Sequence, residues 1–322
     1  MRTLNIYSTR TIIGIVGAGA LAAATPALAD QGGVPFWFSG QMASLSATAP
    51  SPGVTLGLLG YDYHGTASRT FQFGRTVVAN VDTTVPVVMV QPGYAPNTSV
   101  FGAQPYFALG FGAGSNNTAA GLTLTDSSLA LGRNDTVAGA TDLYPYVSLS
   151  WSKGSNNWMA YGTGDIPVGD YQAGRLANLG IGHGAADLGG GYTYFNQRNG
   201  REFTAVAGVT FNTENTSAQY TNGVDVHLDW AASQFLSASW EVGVVGYVYG
   251  QLTGDSGAGD RLGSFMSRIA AAGPEIGHPF VVGGRPAYVN LRAYWEFWAQ
   301  NRVEGRAIYL TLAIPLGASP KK

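Results

Sequence analysis

Cysteine is absent from the 322-residue chain, which excludes disulfide staples, thiolate metal sites, cysteine nucleophiles and lipoprotein-type acylation. Charge is scarce as well: Asp, Glu, Lys and Arg make up 11% of residues, against roughly a quarter in a soluble globular domain. The only lysines are Lys153, Lys321 and Lys322, and the formal net charge is −2, so no basic patch exists to neutralise phosphates and nucleic acid is not an expected partner. No apolar run reaches the roughly 20 residues that a spanning helix needs. Disorder is excluded too, because 45% hydrophobic and 12% aromatic residues contradict the signature of unfolded chains. The 46 glycines follow no every-third-residue period, which leaves out collagen.

What is present begins with an export signal. Arg2 and Arg10 form a positive n-region, residues 11–24 an apolar h-region, and Ala27-Leu28-Ala29 a small-x-small cleavage site, so residues 1–29 read as a signal peptide and the mature chain as starting at Asp30. Gly17-Ala18-Gly19-Ala20-Leu21-Ala22 matches the letters of a dinucleotide fingerprint, but it lacks the preceding strand that such a turn requires.

An exported chain that is poor in charge, rich in Gly and aromatics and without spanning helices fits an all-β fold: a transmembrane antiparallel up-and-down β-barrel of about 12 strands. Strict alternation supports it. Val224, Val226, Leu228 and Trp230 share one face while Asp225, His227 and Asp229 share the other, and Val289, Leu291, Ala293, Trp295 and Phe297 alternate with Asn290, Arg292, Tyr294 and Glu296. The expected strands are residues 54–64 (or one nearer 70–79), 104–113, 118–125, 141–151, 156–165, 185–196, 201–212, 221–232, 239–251, 263–276, 286–299 and 305–316. Short inner turns are expected at 114–117, 152–155, 197–200 and 233–238, and long outer loops at 80–103, 126–140, 166–184 and 252–262. The connections at 277–285 and 300–304 fit this alternation less well. Six of seven tryptophans fall at expected strand ends, namely Trp151, Trp158, Trp230, Trp240, Trp295 and Trp298, where interfacial girdles belong. A secreted sandwich or lipocalin-like barrel would alternate too, but with a charged outer face. The domain reading is a signal peptide over 1–29, an N-terminal segment over 30–53 and an outer-membrane barrel over 54–322.

Charges facing lipid at the midplane cost roughly 2 to 4 kcal/mol for Arg or Lys, so the strand charges are expected to line the lumen. The pore-lining set is Asp225, His227, Asp229, Glu241, Arg268, Arg292 and Glu296, with Glu275 and with Tyr247, Tyr249 and Tyr294 as amphipathic walls. Residues 34–49, carrying Phe36, Trp37, Phe38, Met42 and Leu45, are too apolar for a solvated arm and are expected to enter the barrel as a plug. Gly254-Asp255-Ser256-Gly257 mimics a protease nucleophile loop, yet no histidine stands in matching context, and it reads as an outer-loop turn. His183 with Asp187 is a weak metal or catalytic pair flanked by glycines. No catalytic residue, metal or cofactor is expected.

Gly33-Val34-Pro35-Phe36-Trp37-Phe38-Ser39-Gly40, Pro52-Gly53 and Tyr61-x-Tyr63-His64 open a pattern that continues in Gly164-Asp165-Ile166-Pro167. It runs on through residues 178–194 around Gly182-His183-Gly184, and ends in Tyr294-Trp295-Glu296-Phe297 with Asn301-Arg302-x-Glu304-Gly305. It resembles the SphA-like family of outer-membrane transporters named after the meta-pathway of phenol degradation. The resemblance covers nearly all of the mature chain. It implies an outer-membrane channel or transporter for passive uptake of small hydrophobic, aromatic compounds, with outer-membrane lipid, the solute and the barrel-assembly machinery as partners. The chain departs from the aromatic C-terminus that many such barrels carry, ending Leu316-Gly317-Ala318-Ser319-Pro320-Lys321-Lys322. The competing readings are a structural or adhesion barrel with a closed lumen and an outer-membrane hydrolase, the latter requiring His183 or His227.

Overall fold

The computed structural model describes residues 33–72, 76–124, 130–236, 240–260 and 264–316. The expected signal peptide, its cleavage point after Ala29 and the C-terminal tail lie outside them. The chain forms β1 (Gly53–Gln72), β2 (Thr76–Ala95), β3 (Gln104–Leu124), β4 (Ala130–Ala140), β5 (Tyr144–Lys153), β6 (Asn156–Asp165) and β7 (Ala185–Asn196). It continues with β8 (Arg201–Asn212), β9 (Asp225–Phe235), β10 (Glu241–Gln251), β11 (Arg268–Val282), β12 (Arg285–Gln300) and β13 (Glu304–Leu316). Consecutive strands pair antiparallel except β4 and β5, which both pair with β3, and β1 pairs with both β2 and β13, so the sheet closes on itself. The first half of β3 pairs with β5 and the second half with β4. β4 and β5 therefore share one position, interrupted at Thr141-Asp142-Leu143, and the barrel has twelve positions. Through the β5 half of that position the sheet is paired on both sides, the β solution that satisfies every backbone group in lipid, while among the described residues β4 pairs only with β3 and keeps one edge open.

Alternation sorts the side chains. On β8, Phe203, Ala205, Ala207, Val209 and Phe211 point outward, while Glu202, Thr204, Val206 and Thr210 are buried in the lumen. On β1 the outward face runs Val54, Leu56 and Leu58 and then turns polar at Asp62, Thr66 and Ser68. β1, β2 and β3 are 20, 20 and 21 residues long, about twice the 9–11 that cross a bilayer, so their second halves form a wall standing beyond the apolar band. Ten inward residues from the expected set, Asp225, His227, Asp229, Glu241, Glu275, Arg292, Tyr247, Tyr249, Tyr294 and Glu296, line the interior.

Several expectations are corrected. The segment expected as an outer loop over 80–103 is mostly β2, which keeps an unbroken ladder to β1. Its Pro86 and Pro92 lie where the β2–β3 ladder lapses, between Thr84 and Val87 and between Val90 and Gly93, positions that tolerate a missing N–H. The turn expected at 114–117 is the middle of one continuous strand, β3. Its Asn116, a turn-former by composition, is instead buried in the lumen and donates from Nδ2 to Asn178 O at 2.9 Å. Much of the loop expected at 126–140 is β4. One strand missed and one split in two cancel, so the count stays at twelve. The misfit at 277–285 disappears because β11 runs to Val282 and turns through Gly283 and Gly284, both at positive φ, the geometry of a two-residue hairpin. Trp230 is not at a strand end: it lies midway along β9, and its ring covers the outward face of Gly246.

Arg268 is also corrected. It is exposed rather than lumenal, with its guanidinium 4.5 Å over the Trp298 ring. The ladder to β12 shifts register between Arg268 and Ala270, which breaks the alternation at the rim and buries Ile269 in its place.

Candidate functional site

The N-terminal segment enters the barrel ahead of β1 and is buried there: Val34, Phe36, Trp37 and Phe38 are each at most 5% exposed. Its apolar side chains find aromatic partners on the wall. Trp37 stacks on His227 with centroids 3.6 Å apart and on Tyr161 at 5.8 Å. Phe36 stacks on Tyr144, and Phe38 meets Tyr61 edge-on. The Met42 side chain packs beside this group.

The backbone of the segment is held by wall charges. Asp229 accepts from Gly40 N at 2.9 Å and Met42 N at 3.1 Å. Arg292 donates from Nε to Gly40 O at 3.0 Å and from Nη2 to Gln41 O at 2.8 Å. Tyr294 and Tyr309 donate to Gly40 O and Ser39 O. Lower down, Glu202 accepts from Leu45 N at 3.1 Å, Ser44 Oγ lies 2.6 Å from Glu275, and Thr193 Oγ1 accepts from Ala47 N. A backbone away from both water and secondary structure needs such partners for each polar group, and hydrogen bonds to ionised groups are the stronger ones. Behind them, Asp187 holds the His227 Nε2 at 3.0 Å and accepts from Tyr161 and Thr210, each at 2.7 Å.

Phe36, Trp37 and Phe38 separate two cavities. The inner one, about 400 Å³, is lined by Met42, Met89, Met159, Tyr106, Tyr144 and Tyr146 among others. The outer one, about 70 Å³, lies among Tyr61, Tyr63, Tyr247 and Tyr249 with Glu296 and Arg302. Glu296 accepts from Tyr63 and Tyr247 at 2.8 and 2.7 Å and from Gly305 N at 2.8 Å. Burial works to lower the pKa of Arg302, in the β12–β13 connection, but the Glu296 charge outweighs it and the net shift is upward.

Glu241 stands at the inner end, bonded to Tyr288 rather than to the segment. Glu202, Tyr161 and Tyr309, which hold the segment or its aromatic partners, fall outside the expected set. The same alternation marks them, since each is a polar or amphipathic residue on the inward parity of its strand. His183 and Asp187 are not paired: Asp187 holds His227, and His183 Nδ1 contacts Ile181 O. Asp255, in the outer-loop turn, accepts from Gly223 N of the β8–β9 connection and from Gln251 at the end of β10. Among the described residues no group of three His, Asp or Glu side chains is arranged to hold a metal.

The closed twelve-position barrel matches known proteins. Residues 51–312 match the family model for the MetA-pathway of phenol degradation. The chain belongs to this family. No curated protein sequence matches it significantly. An outer membrane channel of Pseudomonas putida F1 superposes with a TM-score of 0.64 at 13% identity, over 84% of this chain and 98% of that one. The transport unit of the Escherichia coli autotransporter AIDA-I gives 0.43 at 12% identity over 92% and 98% of the two chains. A Pseudomonas aeruginosa FadL homologue gives 0.38 at 9% over 82% and 90%. The fold of this phenol-degradation family member is thus that of an outer-membrane channel barrel.

Proposed function

We propose that the protein is an outer-membrane channel for passive uptake of small hydrophobic, aromatic compounds, with residues 34–49 as its plug. The inner cavity carries this reading. Its tyrosine and methionine walls offer the adaptable apolar contact that such solutes bind, and it lies directly beneath the Phe36–Trp37–Phe38 barrier. A solute partitions from the outer wall into the tyrosine-lined cavity, passes the aromatic barrier as the segment shifts, and leaves by the inner cavity toward the periplasm. No cofactor or bond-breaking step enters this account, and family and fold resemble channels rather than enzymes.

Liposomes carrying the protein, challenged with a phenol-like solute, an alkane and a sugar, test the proposal. The expected order is uptake of the aromatic over the alkane, and both over the sugar. Equal permeation by all three would make it a general pore. The second reading, a structural barrel with a closed lumen, draws on the density of bonds around Gly40 and predicts uptake of none.

A further inference from the structure

Arg302 faces the charge of Glu296 across the outer cavity without bonding to it. Among the described residues it makes no ion pair and no hydrogen bond, and its Nε is buried without a partner. Its guanidinium lies 5.0 Å over the Tyr249 ring, facing the outer cavity. The carboxylates around it are already engaged by neutral donors. Glu296 takes Tyr63, Tyr247 and the Gly305 amide, while Asp225 takes Tyr249 and Asn212 at 2.8 and 3.0 Å. A guanidinium presents a planar fork of donors, and desolvated donors are costly to leave unmade. Whatever fills this cavity and displaces its water must therefore bring an acceptor oxygen.

Two further observations narrow the occupant. Charge bears on its ionisation: the lining holds two carboxyl side chains, Glu296 and Asp225, against the single guanidinium of Arg302, an acidic excess that does not favour an incoming anion. Volume and lining decide its body. About 70 Å³ holds roughly five water-sized occupants at 10–15 Å³ each, about the size of one six-membered ring, and the walls combine the rings of Phe36, Phe38, Tyr61, Tyr63 and Tyr247 with neutral polar groups such as Thr83 and Asn116. We propose that the outer cavity binds a neutral single-ring aromatic bearing an acceptor oxygen, a phenol or aryl ketone, and that Arg302 selects it over the hydrocarbon and over the aromatic acid. The physiological sense of this selection rests on the uptake reading, whereas the binding itself does not.

The test is equilibrium dialysis of the full-length protein in nanodiscs against empty nanodiscs, using phenol, acetophenone, toluene and benzoate at pH 7. Phenol and acetophenone are expected to bind about 10- to 100-fold more tightly than toluene, the span that one hydrogen bond to a charged group contributes, and benzoate more weakly than either. Arg302→Gln should bring phenol down to the level of toluene and leave toluene unchanged, and Arg302→Lys should restore part of the preference. Heat-modifiable migration confirms that each variant is folded. Equal binding of phenol and toluene, tightest binding of benzoate, or indifference to Arg302→Gln would overturn the site. Uptake into liposomes, run in parallel, separates the two ideas. Uptake of phenol and toluene with no Arg302-dependent binding sinks the site and leaves the channel standing, and Arg302-dependent binding without uptake does the reverse.

Discussion

Gly40 is the residue on which the inserted segment turns. Its φ is +85°, and a Cβ there would stand 2.7 Å from a Tyr294 ring carbon and 2.9 Å from one of Tyr247. Gly40→Ala therefore combines a left-handed backbone cost of about 1–2 kcal/mol with displacement of two buried rings. The bonds that Gly40 and its neighbours make to Asp229 and Arg292 are expected to loosen while the barrel wall stays intact. Planar-bilayer conductance should rise at least several-fold with unchanged heat-modifiable migration, and conductance equal to wild type would remove Gly40 from this role. The sequence places Gly40 in an apolar motif, but its function depends on tyrosines more than two hundred positions away, which no local pattern reveals. Asp229, Arg292 and Tyr294 were legible because alternation alone forces each charge or polar tip inward. Arg268 was misread for the converse reason, since a register shift at the rim suspends the alternation.

Strands and loops were legible to the extent that their residues obey one periodicity. β8 to β10 and β12 to β13 alternate cleanly, and their positions follow from the sequence to within a few residues. β2 and β3 do not, because Pro86, Pro92 and the Gly114-Ser115-Asn116-Asn117 stretch imitate turns while their polar groups or missing donors are accommodated by ladder lapses and lumen contacts. The outward faces make a direct prediction: Val244 is 52% exposed and Leu228 39%, both on the apolar band. Leu228→Arg or Val244→Arg should each lower stability by about 2–4 kcal/mol in lipid, read as a shift in the urea midpoint of reversible unfolding into vesicles. A shift under about 0.5 kcal/mol would place these positions outside the bilayer core. The connection over 166–184 makes another. Its His183 is 3% exposed, and burial, partly opposed by the Ile181 carbonyl, Asn212 and Asp142, holds its pKa below the ordinary 6.5. The undocked loop takes up a proton more readily than the docked one, so docking is at full strength above pH 6.5 and weakens as pH falls below it. Amide exchange across 166–184, corrected for intrinsic rates, should be faster at pH 5.5 than at pH 7.5, and His183→Gln should abolish the difference. An unchanged exchange pattern would show that His183 does not couple to docking.

For the whole molecule the question is whether the segment blocks the passage or completes the wall. The barrel closes without it: β1 reaches β13 through thirteen consecutive residue pairs, from Val54–Leu316 to Thr66–Glu304, and no segment residue belongs to that ladder. What the segment supplies is filling, since it places Phe36, Trp37 and Phe38 between two cavities and neutralises wall charges with backbone amides and carbonyls. Removing it exposes Asp229, Arg292, Glu202 and Glu275 to water inside a finished barrel, where they are solvated rather than orphaned. Deletion of residues 34–49 should therefore leave a folded, heat-modifiable barrel with a larger and less selective conductance, now passing the sugar as well as the aromatic solute. If the deleted protein folds and its conductance and selectivity equal those of the full chain, the segment is not a plug and the route runs elsewhere. If it fails to form a barrel, the buried contacts around Gly40 are needed for assembly, and Gly40→Ala, which keeps every other residue in place, becomes the deciding measurement.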